Sequence, residues 1–190
     1  MRQSAIRYRT AQDLFIACAT AAEDMTAVPT RQPSPDFCRA LLGGSTPEEA
    51  VTFLAYLLAD RAAVWWGHEC LQQLAELLDD HDLDLLERVR MRVGEPAGFT
   101  PLLIVNRRLA RQRSPAGWIA LAAGVENGSS GDFDEAGMHA MPLGRAIHIG
   151  LLAGLARVAT VDRFAVLSAF VHTGLQLAES TSATDIYSWY

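Results

Sequence analysis

Apolar positions recur at helical spacing through most of the chain. Ala50, Phe53, Leu54, Leu57 and Leu58 fall on one helical face, and Val64, Trp65, Leu71 and Leu74 continue the pattern beyond Asp60, a residue suited to capping a second helix. These two segments read as a hairpin or one kinked helix. Start signals agree with the periodicity. Ser34-Pro35, Thr46-Pro47, Thr100-Pro101 and Ser114-Pro115 each set a capping hydroxyl before proline, which suits the first helical position because its missing N–H would have no partner there. Thr46-Pro47-Glu48-Glu49 adds a capping box, with Glu49 placed to reach back to the Thr46 amide.

Further helices are predicted near 11–23, 35–42, 80–93, 101–113, 115–124, 142–158 and 161–179, leaving no convincing strand. The expected fold class is therefore all-α, a compact multi-helix domain of about eight or nine helices with no significant sheet. It would span 1–180, with 181–190 as a C-terminal tail whose Ile186, Tyr187, Trp189 and Tyr190 are suited to docking back on the body. Val125 to Met141, rich in glycine and serine, reads as the longest loop. Ser34-Pro35-x-x-x-x-Ala40-Leu41-x-x-Gly44 recurs as Ser114-Pro115-x-x-x-x-Ala120-Leu121-x-x-Gly124, but the match ends at once on both sides. Two short helices with the same start and stop signals explain it better than duplication does.

Composition supports a folded core, since 50% of the 190 residues are hydrophobic and 20% are charged. Cys18, Cys38 and Cys70 are odd in number and dispersed, which excludes a disulfide framework and a Cys-x-x-Cys metal knuckle. The longest apolar stretch, Ala146 to Ala156, contains His148 and is flanked by Arg145 and Arg157, so no membrane span is expected. The first residues carry charge without a following apolar segment, and a cytoplasmic location is expected. All 16 basic residues are arginine. The net charge of −6 is uneven: Glu69 to Glu87 holds seven acids and no arginine, whereas Arg88 to Arg113 holds seven arginines against Glu95 alone.

Candidate chemistry is sparse. Asp80, Asp82 and Asp84 alternate as in a calcium loop, but Leu85 and Met91 stand where glycine and a bidentate glutamate belong. Acids in a first helical turn, facing the macrodipole, account for the cluster better. His68, His81 and Asp82, with Asp162 downstream, admit a metal-dependent phosphohydrolase, although only thirteen residues separate the two histidines. No nucleophile turn or phosphate-binding glycine loop is present. Arg107, Arg108, Arg111 and Arg113 form the only basic run and admit a nucleic-acid-binding regulator, against which the acidic balance of the chain argues.

Ala63-Val64-Trp65-Trp66 is the most unusual local feature. Neighbouring helical residues project about 100° apart, so two adjacent rings cannot share one narrow core stripe: core packing of both is the commoner outcome for such a pair, and the alternative sets one ring inside and offers the other to a groove or interface. Trp65, in register with Ala62 and Leu58, is the better placed for the core. Arg61 opens the same helix, with solvent as its expected environment, and the partner-binding set read from the sequence is Arg61, Trp65, Trp66 and Trp118.

At these residues the chain resembles an uncharacterised family of bacterial helical proteins. Its signature is an Ala-Val-Trp-Trp helix following Thr-Pro-x-x-Ala-x-x-Phe-Leu-Ala, which stands here as Thr46-Pro47-Glu48-Glu49-Ala50-Val51-Thr52-Phe53-Leu54-Ala55. Further matches lie at Ser114 to Ala123 and at Gly174-Leu175-Gln176-Leu177-Ala178, so the resemblance covers roughly 34–180. The loop after the second motif departs from the family's Gly-Gly-Ser pattern, reading Asn127-Gly128-Ser129-Ser130-Gly131. Such proteins are commonly encoded beside type VI secretion components, which implies an accessory role and no particular chemistry. The expectation is a non-enzymatic adaptor or chaperone-like protein, with no cofactor and no bound metal, whose partner is another protein such as a secretion-system component or effector.

Overall fold

A computed structural model describes residues 5–96, 98–106, 113–125 and 138–180. Among them are nine α-helices: α1 Ala11–Ala17, α2 Ala19–Asp24, α3 Ser34–Leu42, α4 Glu48–Leu57, α5 Asp60–Gln72, α6 Asp80–Gly94, α7 Pro115–Ala123, α8 Leu143–Leu155 and α9 Thr160–Glu179. One antiparallel ribbon joins β1 Leu102–Asn106 to β2 Met138–Pro142. The protein is mostly helical, as the periodicity predicts. The ribbon corrects the reading of 101–113 as a helix over Leu102–Asn106 and of 138–141 as loop, while 107–112 lie outside the described residues. Leu102-Leu103-Ile104-Val105 is too short an apolar run for periodicity to separate strand from helix. Burial resolves it with a period of two, since Leu103 and Val105 face the core while Leu102 and Ile104 face out.

Helix α8 is the hub, packed against α4, α5 and α7. Close approach is possible because a Cβ added at Gly150 would lie 2.9 Å from the Pro115 carbonyl oxygen and 3.0 Å from the Trp118 Cβ. Helix α9 closes the opposite side against α3, α4 and α5, and there a Cβ on Gly174 would lie 2.9 Å from Trp66 Nε1. The pair α6 and α7 packs beside α5.

Three of the four proline-marked starts do precede helices, but the hydroxyls have other work. Ser114 alone caps by its side chain, accepting from the Gly117 amide at 3.1 Å. Buried Ser34 donates instead to the Tyr8 carbonyl at 3.0 Å. The Thr46 box does not form, because Glu49 reaches across to the amides of Thr26 and Ala27 at 2.8 and 3.0 Å. Asp60 is the first residue of α5 and pairs with Arg7. The chain between α4 and α5 is extended at Leu58 and Ala59, where the N-terminal segment stitches on through Arg7 N–H to Leu57 and Ala59 N–H to Ala5, both at 2.8–2.9 Å. The two helices therefore form neither a tight hairpin nor one kinked rod. The predicted helix 11–23 is likewise interrupted, at Cys18.

Candidate interaction surfaces

Helix α5 separates the tryptophan pair in the opposite sense to the expectation. Trp66 is fully buried and its Nε1 donates to the Phe170 carbonyl at 2.9 Å. Trp65 is half-buried and stacks on His68, with ring centroids 5.1 Å apart and planes 13° from parallel. The register with Leu58 fails because the break at Leu58–Ala59 puts that residue outside α5. Because neighbouring helices surround α5, only Arg61, Trp65 and Glu69 remain half-exposed between Arg61 and Cys70, spaced four residues apart.

Arg61 is not simply solvated. Its guanidinium donates to the carbonyls of Val93 and Glu95 at 2.7 and 2.6 Å, placing a cation at the C-terminal end of α6 where the macrodipole favours one. It also lies over the Phe99 ring at 5.6 Å, and Arg92 flanks the same ring at 4.8 Å. Trp118 is buried in α7. Of the four residues read as partner-binding, Trp66 and Trp118 are thus core, while Arg61 positions Phe99.

That phenylalanine lines a groove of about 280 Å³ formed by Arg92, Thr100, Leu102, Leu103, Ile104 and the end of α7 from Leu121 to Gly124. Three consecutive residues of β1 border it, so it runs along the strand's backbone edge and not over one face. The pairing register sets which backbone groups point there. Leu143 N–H donates to the Pro101 carbonyl, and Leu102 stands opposite Pro142, so Leu103 and Val105 bond to β2. The N–H and C=O groups of Leu102 and Ile104 point away from β2. Among the described residues, none hydrogen-bonds to Leu102 or Ile104 along that edge. Their side chains are 50% and 54% exposed. Sequence reasoning missed this place because it assigned the whole segment to a helix, and the unbroken apolar run Leu102 to Val105 carries no alternation that could have shown a strand.

The acidic cluster at the start of α6 is structural. Asp79 caps the helix by accepting from the Asp82 amide at 2.8 Å. Asp82, fully buried, accepts from the Ala116 amide at 3.3 Å and from Arg157 at 3.0 Å, so its charge is met by the N-terminus of α7 and by a guanidinium. His81 is exposed, whereas His68 is buried against Trp65 and within 3.0 Å of Glu69. Among the described residues, no three His, Cys, Asp or Glu side chains converge to hold a metal ion. Burial pushes the Cys38 thiol up to about 12 and raises Cys70 well above its usual range. Arg107, Arg108 and Arg111 lie outside the described residues, and Arg113 is half-buried.

A second polar cluster joins α2, α4 and α8. Arg145 grips Asp24 through Nε and Nη2 at 2.9 and 2.6 Å, and Tyr56 donates to the same carboxylate. Burial raises the Asp24 carboxyl, but the Arg145 and Tyr56 hydrogen bonds more than offset it and hold the group below its usual value. Burial also raises the Tyr56 hydroxyl. His148 sits beside them with its Nδ1 buried, unbonded, and 3.8 Å from Asp24. Burial, helped by Arg145, lowers His148 to about 4, so the imidazole is neutral near pH 7 and the approach to Asp24 is not an ion pair.

The described architecture is thus a helical domain with one short ribbon, a bounded groove and charges used mainly to lock helices together. The chain belongs to a family of unknown function, DUF6931, whose model matches residues 37–178. No curated protein and no solved structure matches it. No helix among the described residues is long and apolar enough to cross a membrane.

Proposed function

We propose that this chain is a non-enzymatic helical adaptor, chaperone-like in role, that holds another protein in the setting of type VI secretion. The observation that carries the reading is the groove beside β1, where half-exposed Leu102 and Ile104 carry backbone groups that, among the described residues, have no hydrogen-bond partner, next to the apolar end of α7. Concave apolar surface with a few aligned polar groups is what recognition sites share. Singly exposed residues such as Ile16 and Val28 need no such explanation. The secretion setting rests on the Ala63-Val64-Trp65-Trp66 resemblance. Support for a non-catalytic role comes from groups otherwise fit for chemistry: Cys38 and Cys70 are deactivated by burial, and Asp82 is committed to Arg157 and α7.

The test is affinity purification of tagged protein from its source cell, read by mass spectrometry, for the wild type and for Ile104→Arg. The reading expects a secretion component or effector with the wild type, depleted by about tenfold or more in the variant. Recovery of no specific protein, or of the same set with both forms, would contradict it.

A further inference from the structure

We infer that the contact of Asp24 with Arg145, Tyr56 and His148 is an acid-sensitive latch, which releases the N-terminal segment 5–33 from the body of the domain while that body stays folded. The inference uses none of the groove residues and is independent of the adaptor reading. Geometry is its first support. Asp24 ends α2, and both its carboxylate oxygens are taken: Oδ2 accepts from the Tyr56 hydroxyl and Arg145 Nε, and Oδ1 accepts from Arg145 Nη2. His148 Nδ1 lies beside them, buried without a hydrogen bond and 3.8 Å from Oδ2, which is beyond bonding reach. A proton on that nitrogen finds no acceptor unless Asp24 leaves its present partners. Moving Asp24 lifts the end of α2.

The surrounding charges set the direction of the response. Asp24 faces His148 from α2, Tyr56 from α4 and Arg145 from its own helix, with Glu23 3.1 Å from Arg145 on the solvent side. Among the described residues, α5, α7, α9 and the ribbon bring no charged group within ion-pair distance of the ring. Burial and Arg145 oppose a proton on His148 and Asp24 alone favours one, so the ring titrates at about 4 in the closed latch against an ordinary 6.5. Opening the latch therefore takes up a proton as the pH falls below 6.5. The segment is built to leave as a unit. Its helices have seven and six residues, too short to persist without docking. Ala11 N–H bonds to Gln32 and Gln12 N–H to Thr30, at 3.3 and 3.0 Å, which folds the segment back on itself. Buried Leu14, Ala21 and Met25 keep it docked while His148 is neutral. The part of the chain that the family model matches starts at Phe37, beyond the segment.

The experiment follows amide exchange of the full chain from about pH 7.5 to about pH 5, a range in which carboxylates of ordinary value stay ionised, with each rate divided by its intrinsic rate at that pH. Four amides report on the junction: Arg7 bonds to the Leu57 carbonyl, Ala59 to the Ala5 carbonyl, and Thr26 and Ala27 to the Glu49 carboxylate. Their protection is expected to fall by about thirtyfold across the range, the linkage ratio for a group that moves between about 4 and 6.5. At both ends of the range they are expected to be less protected than the α5 amides around Trp66, which open only with the whole domain. His148→Leu is expected to abolish the fall, and His148→Gln, equally uncharged, serves if the leucine variant does not fold. Junction amides as protected as those around Trp66 would overturn the inference, because the segment would then open only with the domain. So would a fall of less than about threefold in the wild type, or an undiminished fall in the His148 variant.

Discussion

At the scale of single residues, the tryptophan pair and His148 give the sharpest expectations. Trp66→Ala removes a fully buried ring together with its indole hydrogen bond to the Phe170 carbonyl, so it should cost about 3–5 kcal/mol in denaturant unfolding. Trp65→Ala, which loses a half-buried stack on His68, should cost clearly less; equal losses would mean that both rings are core. The acid response belongs to His148. Its folded value of about 4 lies below the ordinary 6.5, so between those values the unfolded chain binds the extra proton. Stability should therefore be full above pH 6.5 and fall as the pH drops toward 4, by about 3 kcal/mol in total. Asp24, held below its usual value, adds a further loss at still lower pH. His148→Leu should flatten the upper part of this curve; an unchanged slope between pH 6.5 and 4 would refute the assignment.

At the scale of elements, capping separates what the sequence states from what packing decides. Ser114→Ala should cost about 1 kcal/mol, because the hydroxyl accepts from the Gly117 amide, whereas Thr46→Ala should change stability by only a few tenths of a kcal/mol. Thermal or denaturant melts of both variants check this directly, and comparable losses would contradict the observed caps. Helix positions were legible because periodicity and proline are local signals. Which donor each carboxylate meets was not, since Glu49 finds the Thr26 amide and Asp60 the Arg7 guanidinium only after distant segments meet. The groove was hidden for a related reason. Arg61 could be singled out from sequence, but its role in holding the end of α6 and Phe99 depends on a tertiary approach across more than thirty residues. The β1 edge depends in turn on β2, paired from Met138 onward.

At the scale of the whole molecule, the charges divide into two uses. Most of the arginines with described contacts bind helix ends and carboxylates: Arg145 ties α8 to α2, Arg157 ties the end of α8 to Asp82, and Arg61 holds α6 to α5. Arg92 instead also borders the groove, where backbone groups of β1 and exposed apolar side chains lie together among the described residues. The proposed adaptor role places a partner along this edge. Residue-resolved amide hydrogen exchange, recorded on the full chain with and without the co-purified partner, tests it most directly. Leu103 and Val105 amides already bond to β2 and should change little, while those of Leu102 and Ile104 should exchange rapidly alone and slow by about tenfold or more when the partner binds. Unchanged exchange at Leu102 and Ile104, with new protection confined to another surface such as Val161 to Phe164 on α9, would contradict the account.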